Sequence, residues 1–157
     1  MRLVPENTPA GEVRRSRRTV MLVGLGLAGS SLIGGMVLAS LPPTATWVEG
    51  PIAAAQDGRA VVLGVALVAG AAEEVFFRGA LPRLFSGRAR WVAPTVLYTA
   101  VTLFTGSPAL AVMALILGPV TMWAREVTGS LAAPVFIHAL WTVTMVGLLP
   151  ALLETLI

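Results

Sequence analysis

No cysteine occurs among the 157 residues, so a disulfide framework, a thiolate metal site and a cysteine nucleophile are all excluded. Lysine is missing too, and the eleven basic residues are all arginine. There is a single histidine, His138, and a single tyrosine, Tyr98. Charge of either sign is scarce, at 12% of residues against 56% hydrophobic, and the mean hydropathy is +0.84. Such a balance excludes an ordinary soluble domain and fits a one-domain polytopic membrane protein. The net charge of +3 does not point to nucleic acid, because the arginines cluster in short segments between apolar runs, where they set topology. No internal repeat is visible, which argues against a transporter or proton relay built from paired halves.

What the chain does contain is apolar runs near membrane length. They predict an all-α polytopic bundle of about five transmembrane helices, over residues 19 to 41, 60 to 82, 91 to 105, 108 to 124 and 131 to 149. Gly106-Ser107-Pro108 separates the short third and fourth runs and reads as a tight hairpin. Gly118-Pro119 should kink the fourth, and Pro134 falls near the start of the fifth, where proline is tolerated. Residues 1 to 18 read as a flexible basic tail, 19 to 157 as the membrane domain, and 42 to 58 as an external loop. Ser16-Arg17-Arg18-Thr19 resembles a twin-arginine signal. The apolar stretch after it is long for a signal core and further spans follow, so an uncleaved first helix is expected. Ser31 with Gly35, and Ser30 with Gly34, have the spacing that lets membrane helices approach closely, or else reflect ordinary membrane-helix composition. An N-terminus in the cytoplasm puts Arg2, Arg14, Arg15, Arg17, Arg18, Arg83, Arg88, Arg90 and Arg125 on the cytoplasmic side, with Arg59 alone outside. The expectation is therefore a multi-pass protein of the cell membrane, with its C-terminus outside.

Three ionisable residues, Glu73, Glu74 and Arg78, interrupt the otherwise apolar run GRAVVLGVALVAGAAEEVFFRGALP. At bilayer depth each charge costs at least about 2.5–3.5 kcal/mol, so such groups persist by pairing, by facing a polar cavity, or by doing chemistry. On a helix Glu74 and Arg78 share a face, whereas Glu73 points about 100° away. One carboxylate can neutralise the arginine and leave the other free for reaction; a structural pair with a spare glutamate is the alternative. At 1.5 Å per residue, Glu73 and His138 both lie roughly 10–12 Å from the cytoplasmic ends of their spans. Tyr98, Thr102 and Thr142 reach about the same depth. Together they form a cluster suited to water activation by a carboxylate and oxyanion stabilisation by imidazole and hydroxyl donors.

Those residues also carry a family resemblance. Glu73-Glu74-Val75-Phe76-Phe77-Arg78-Gly79 resembles the EExxxR motif of the CAAX prenyl protease and bacteriocin-processing (CPBP) intramembrane proteases. Thr128-Gly129-Ser130-Leu131-Ala132-Ala133-Pro134-Val135-Phe136-Ile137-His138 is similar to the stretch bearing that family's third motif, HxxxN. The resemblance covers about residues 60 to 149. It implies an endopeptidase that hydrolyses a peptide bond near the cytoplasmic surface of the bilayer. The substrate would be a membrane-anchored, lipid-linked or prenylated peptide. By the same resemblance Glu73 would activate water, Glu74 and Arg78 would form the orienting pair, and His138 would bind or polarise the scissile carbonyl. The family is described both as metalloproteases and as glutamate-dependent. A divalent metal such as zinc would have Glu73, Glu74 and His138 as its available ligands, where a zinc site wants three. Two positions depart from the pattern: Thr102 stands for the histidine of the second motif, FxxxH, and Thr142 for the asparagine of the third. The departures leave a second reading, a catalytically silent pseudoprotease acting as a membrane binding or scaffold protein.

Overall fold

The structure, a computed structural model, describes residues 10–47, 53 and 58–156, and no strand occurs among them. Helix α1 spans Ala10–Ser40, and residues 42–47 add a short helical turn. Helix α2, Arg59–Glu74, continues through a π turn at Val75–Ala80 and a 3-10 turn at Leu81–Leu84, where Pro82 cannot extend the ladder. Helix α3 is Ala89–Leu103 and α4 is Pro108–Thr128. The Ser107 hydroxyl caps α4 by accepting from the Leu110 amide at 3.3 Å, with Pro108 at the first helical position. Gly129, at φ 65°, stops α4 in the left-handed region that glycine enters without a Cβ penalty. Helix α5, Ala132–Thr142, runs through a second π turn, Val143–Leu148, into α6, Leu149–Leu156.

Close approaches fix the direction of each rod. A Cβ on Gly24 would lie against Ile137 and Leu140, and one on Gly35 against Met145 and Leu149, so α1 runs parallel to α5 and α6. Gly70 meets His138 whereas Gly147 nears Leu63, so α2 runs antiparallel to α5. Thr95 approaches the Gly118 position and Arg90 faces Glu126 at 3.8 Å, which makes α3 and α4 the expected hairpin. The Ser107 hydroxyl donates to the Trp47 carbonyl at 3.2 Å, so the α3–α4 turn sits at the level where α1 ends. The described residues therefore make five passes along the bundle in alternating directions. Among them, four segments, Arg17–Ser40, Arg59–Leu84, Pro108–Thr128 and Ala132–Thr155, are long and apolar enough to cross a membrane. The remaining pass, α3, has 15 residues and covers only about 22 Å of a hydrocarbon core of about 30 Å.

Arg17, Arg18, Arg83, Arg88, Arg90 and Arg125 all fall toward one end of this bundle, and Arg59 at the other. Helix α1 begins at Ala10, inside the stretch expected to be a flexible tail, and the expected tail residues 1–9 lie outside the described residues, as do 48–52 and 54–57 of the expected loop. Of the two small-residue pairs, Ser31 and Gly35 pack: Ser31 is buried against Met113 and Gly35 against Leu149. Among the described residues, nothing lies within 4 Å of where a Cβ on Gly34 would sit. Val20, Leu117, Ala124, Ile137 and Trp141 form the main core, whereas Val61, Val65 and Val68 of α2 and Phe104 face outward, as a lipid-facing surface requires. Pro119 and the unanticipated Pro94 lie within continuous helices; at Gly118 a Cβ would come 2.9 Å from Thr95, so α3 and α4 close there because a side chain is missing.

Candidate active site

Glu73 and Glu74 end the regular part of α2, and their roughly 100° separation sends them into different surroundings. Glu74 is fully buried. Its Oε2 lies 3.2 Å from Nε of Arg78, one turn on, and both side chains are shielded from solvent. The contact is an ion pair and not an aligned hydrogen bond, since among the described residues neither Oε2 nor the terminal nitrogens Nη1 and Nη2 of Arg78 has a hydrogen-bond partner. The Arg78 guanidinium also sits over the Tyr98 ring, 4.6 Å from its centroid, and Phe77 packs on that same ring at a 52° tilt. Arg78 lies within the π turn, whose extra residue leaves the helix wider than a regular α turn.

The other oxygen of Glu74, Oε1, lies 2.8 Å from Nδ1 of His138. An ionised carboxylate only accepts, so Nδ1 carries the proton, and the ring is held with Nε2 turned toward Glu73. Nε2 is 4.0 Å from Oε2 of Glu73. One oxygen atom at about 2.8 Å from both groups would subtend roughly a right angle, a geometry open to a water that donates to both. Tyr98 lies within electrostatic reach of Glu73. Unlike Glu74, the Glu73 side chain remains 42% exposed.

Glu73, Tyr98, Thr102, His138 and Thr142 line one cavity of about 340 Å³, which runs along the bundle to Trp47 and is apolar over most of its wall. The expected layer therefore assembles: both carboxylates, the guanidinium, the imidazole and the phenol lie together, with both threonines alongside. The two threonines differ. The Thr102 hydroxyl donates to the carbonyl of Tyr98 at 2.9 Å, a bond within its own helix, and is thus turned back on α3. Thr142 is buried in the wall one turn beyond His138.

Sequence reasoning missed Gly70 and Trp141. Gly70 precedes Glu74 by one turn, and a Cβ there would come 3.0 Å from the His138 ring, so the imidazole reaches Glu74 only because that position is bare. The four-residue spacing of Gly70 and Glu74 was a signal for it. Trp141 stacks edgewise on His138 with centroids 6.2 Å apart, and nothing in the sequence distinguished it from core. Zinc fits this donor set poorly. Both oxygens of Glu74 face Arg78 and His138, leaving Glu73 and Nε2 of His138, and among the described residues no group of three potential ligands converges to hold a metal.

Residues 56–144, more than half of the chain and including every side chain of this layer, match the family model described as type II CAAX prenyl endopeptidase, Rce1-like. No curated protein and no solved structure matches the chain.

Proposed function

The chain belongs to the Rce1-like type II CAAX prenyl endopeptidase family, and from that premise we propose that it is an intramembrane endopeptidase that cleaves a prenylated or otherwise lipid-linked peptide by glutamate-activated water. The observation that carries this is the His138 ring, bound to Glu74 through Nδ1 at 2.8 Å and facing Glu73 with Nε2 at 4.0 Å. Glu73 is the general base: it is the cavity's accessible carboxylate and takes a proton from water. The hydroxide attacks the scissile carbonyl carbon, and the resulting oxyanion is met by the Tyr98 and Thr142 hydroxyls, with Nε2 of His138 turned toward the same site. Glu73 then returns its proton to the leaving amine as the C–N bond breaks, so water is the only reactant consumed besides the peptide. Arg78 balances Glu74, and Glu74 in turn holds the His138 tautomer.

The long apolar cavity wall suits a lipid chain beside the scissile bond. We assign the arginine-rich end to the cytoplasm and the protein to the cell membrane, by the arginine bias alone. The test is cleavage of a prenylated reporter peptide by the purified protein in detergent. Cleavage should vanish in Glu73→Gln and persist in the presence of a chelator, because the donor set does not complete a zinc site. Turnover that survives Glu73→Gln would rule out the assignment of the base.

A specific observation supports a second reading. The Thr102 hydroxyl, at the position of the second-motif histidine, is bonded to its own helix and offers the cavity no acid or base. On that reading the chain is a pseudoprotease that binds lipid-linked peptides without cutting them. Binding of the reporter without cleavage by the parent protein would select it.

A further inference from the structure

Behind the Glu74–Arg78 pair, on the side away from the Glu73 cavity, lies a second pocket of about 240 Å³. Four of its lining residues are arginines: Arg78 from the π turn, Arg83 from the 3-10 turn, Arg90 from α3 and Arg125 from α4. Glu126 lies 3.8 Å from Arg90 and offsets one of these charges, and Glu74 offsets another through Nε of Arg78. Among the described residues, Arg83 and Arg125 face no carboxylate in the pocket wall, and Arg125 lies within electrostatic reach of both Arg83 and Arg90. Nη1 and Nη2 of Arg78 are buried with no hydrogen-bond partner among the described residues. Like charges gathered from four elements around one cavity, with a buried guanidinium unsatisfied at its wall, call for an anion. Its volume is several times the roughly 30 Å³ share of one water, ample for a tetrahedral oxyanion with its substituents.

We propose that this pocket binds a phosphate group, carried by an anionic lipid or free in solution, with Arg83 and Arg125 as its principal ligands and Arg78 behind them. Guanidinium forks match phosphate oxygens bidentately, and the pocket opens at the arginine-rich end of the bundle, where lipid headgroups lie. The site does not depend on turnover, so its failure and that of the protease reading are separate results.

The experiment measures lipid binding to the full chain in neutral detergent by native mass spectrometry, with phosphatidylglycerol against phosphatidylcholine and with inorganic phosphate as competitor. The parent should prefer phosphatidylglycerol, and Arg83→Gln/Arg125→Gln should weaken that preference by at least ~10-fold, as expected for the loss of two charge-assisted contacts. Arg88→Gln, at the same end but outside the pocket, should leave it unchanged. Displacement of the lipid by inorganic phosphate would show that the phosphate itself is read. Binding of inorganic phosphate alone, lost in the double variant, would keep the site and place its ligand in solution. Equal retention of both lipids with no phosphate binding, or equal losses in Arg88→Gln and the double variant, would overturn the proposal in favour of diffuse surface attraction.

Discussion

Helix α2 carries a carboxylate–guanidinium pair near each end of its run, one reaching another helix and one within its own turn, and the two pairs contrast in setting. Arg59 meets Glu154 of α6 where both side chains are partly exposed, at 33% and 46%. Glu74 meets Arg78 where both are sealed from solvent. An exposed pair is screened and contributes about 0–1 kcal/mol, whereas removing one partner of a buried pair strands a charge in an apolar interior. A third partner, His138, extends the buried pair to Glu73 and the cavity. One end of α2 is thus a clasp, and the other is a support for chemistry.

Arg78→Ala should have the largest effect on stability. It leaves Glu74 buried without its cation and should cost about 3–5 kcal/mol, read as a fall in the thermal unfolding midpoint in detergent. A midpoint close to the parent's would mean that Glu74 is neutral without Arg78 and that the pair is no keystone.

Gly70→Ala sharpens the contrast by moving the imidazole alone. The added methyl would meet the ring at 3.0 Å and push it off Glu74. Misplacing a reacting group by about 1 Å can cost ~10²-fold in rate, so cleavage should drop toward that level while unfolding shifts little. An unchanged rate would show that the Nδ1 contact does not position His138 for reaction.

Thr102→His with Thr142→Asn tests whether the cavity lacks only the two groups by which it departs from the family pattern. The double variant should cleave at least ~10-fold faster than the parent if each group restores part of its usual contribution. A double variant that still binds the reporter but stays inert would favour the pseudoprotease. Glu154→Gln is the smallest change: it breaks the exposed clasp and should lower stability by no more than about 1 kcal/mol.

Much of this was legible before the coordinates. The runs at 60–82 and 131–149 became α2 with its two turns, and α5 with α6, because lipid-length apolar composition leaves the backbone no other way to satisfy its polar groups. The Glu74–Arg78 pair was readable since the four-residue contact is local to one helix, and His138 was placed by depth alone. What stayed hidden depends on rods meeting. The choice of Nδ1 of His138 for Glu74 follows from the bare surface at Gly70, and the two π turns change the register inside segments whose composition looks uniformly helical. The basic pocket draws Arg78, Arg83, Arg90 and Arg125 from four elements, so Arg83, Arg90 and Arg125, which the sequence assigned to topology, also surround a cavity.

The central claim is that two adjacent glutamates divide the work, Glu74 holding the structure and Glu73 the reacting water. The most direct measurement compares Glu73→Gln with Glu74→Gln, taking thermal unfolding and cleavage of the prenylated reporter on the same preparations. The account predicts that Glu73→Gln unfolds near the parent's midpoint with no cleavage, and that Glu74→Gln loses several degrees because Arg78 is left unpaired. Equal midpoints for the two variants, or cleavage that continues in Glu73→Gln, would contradict it.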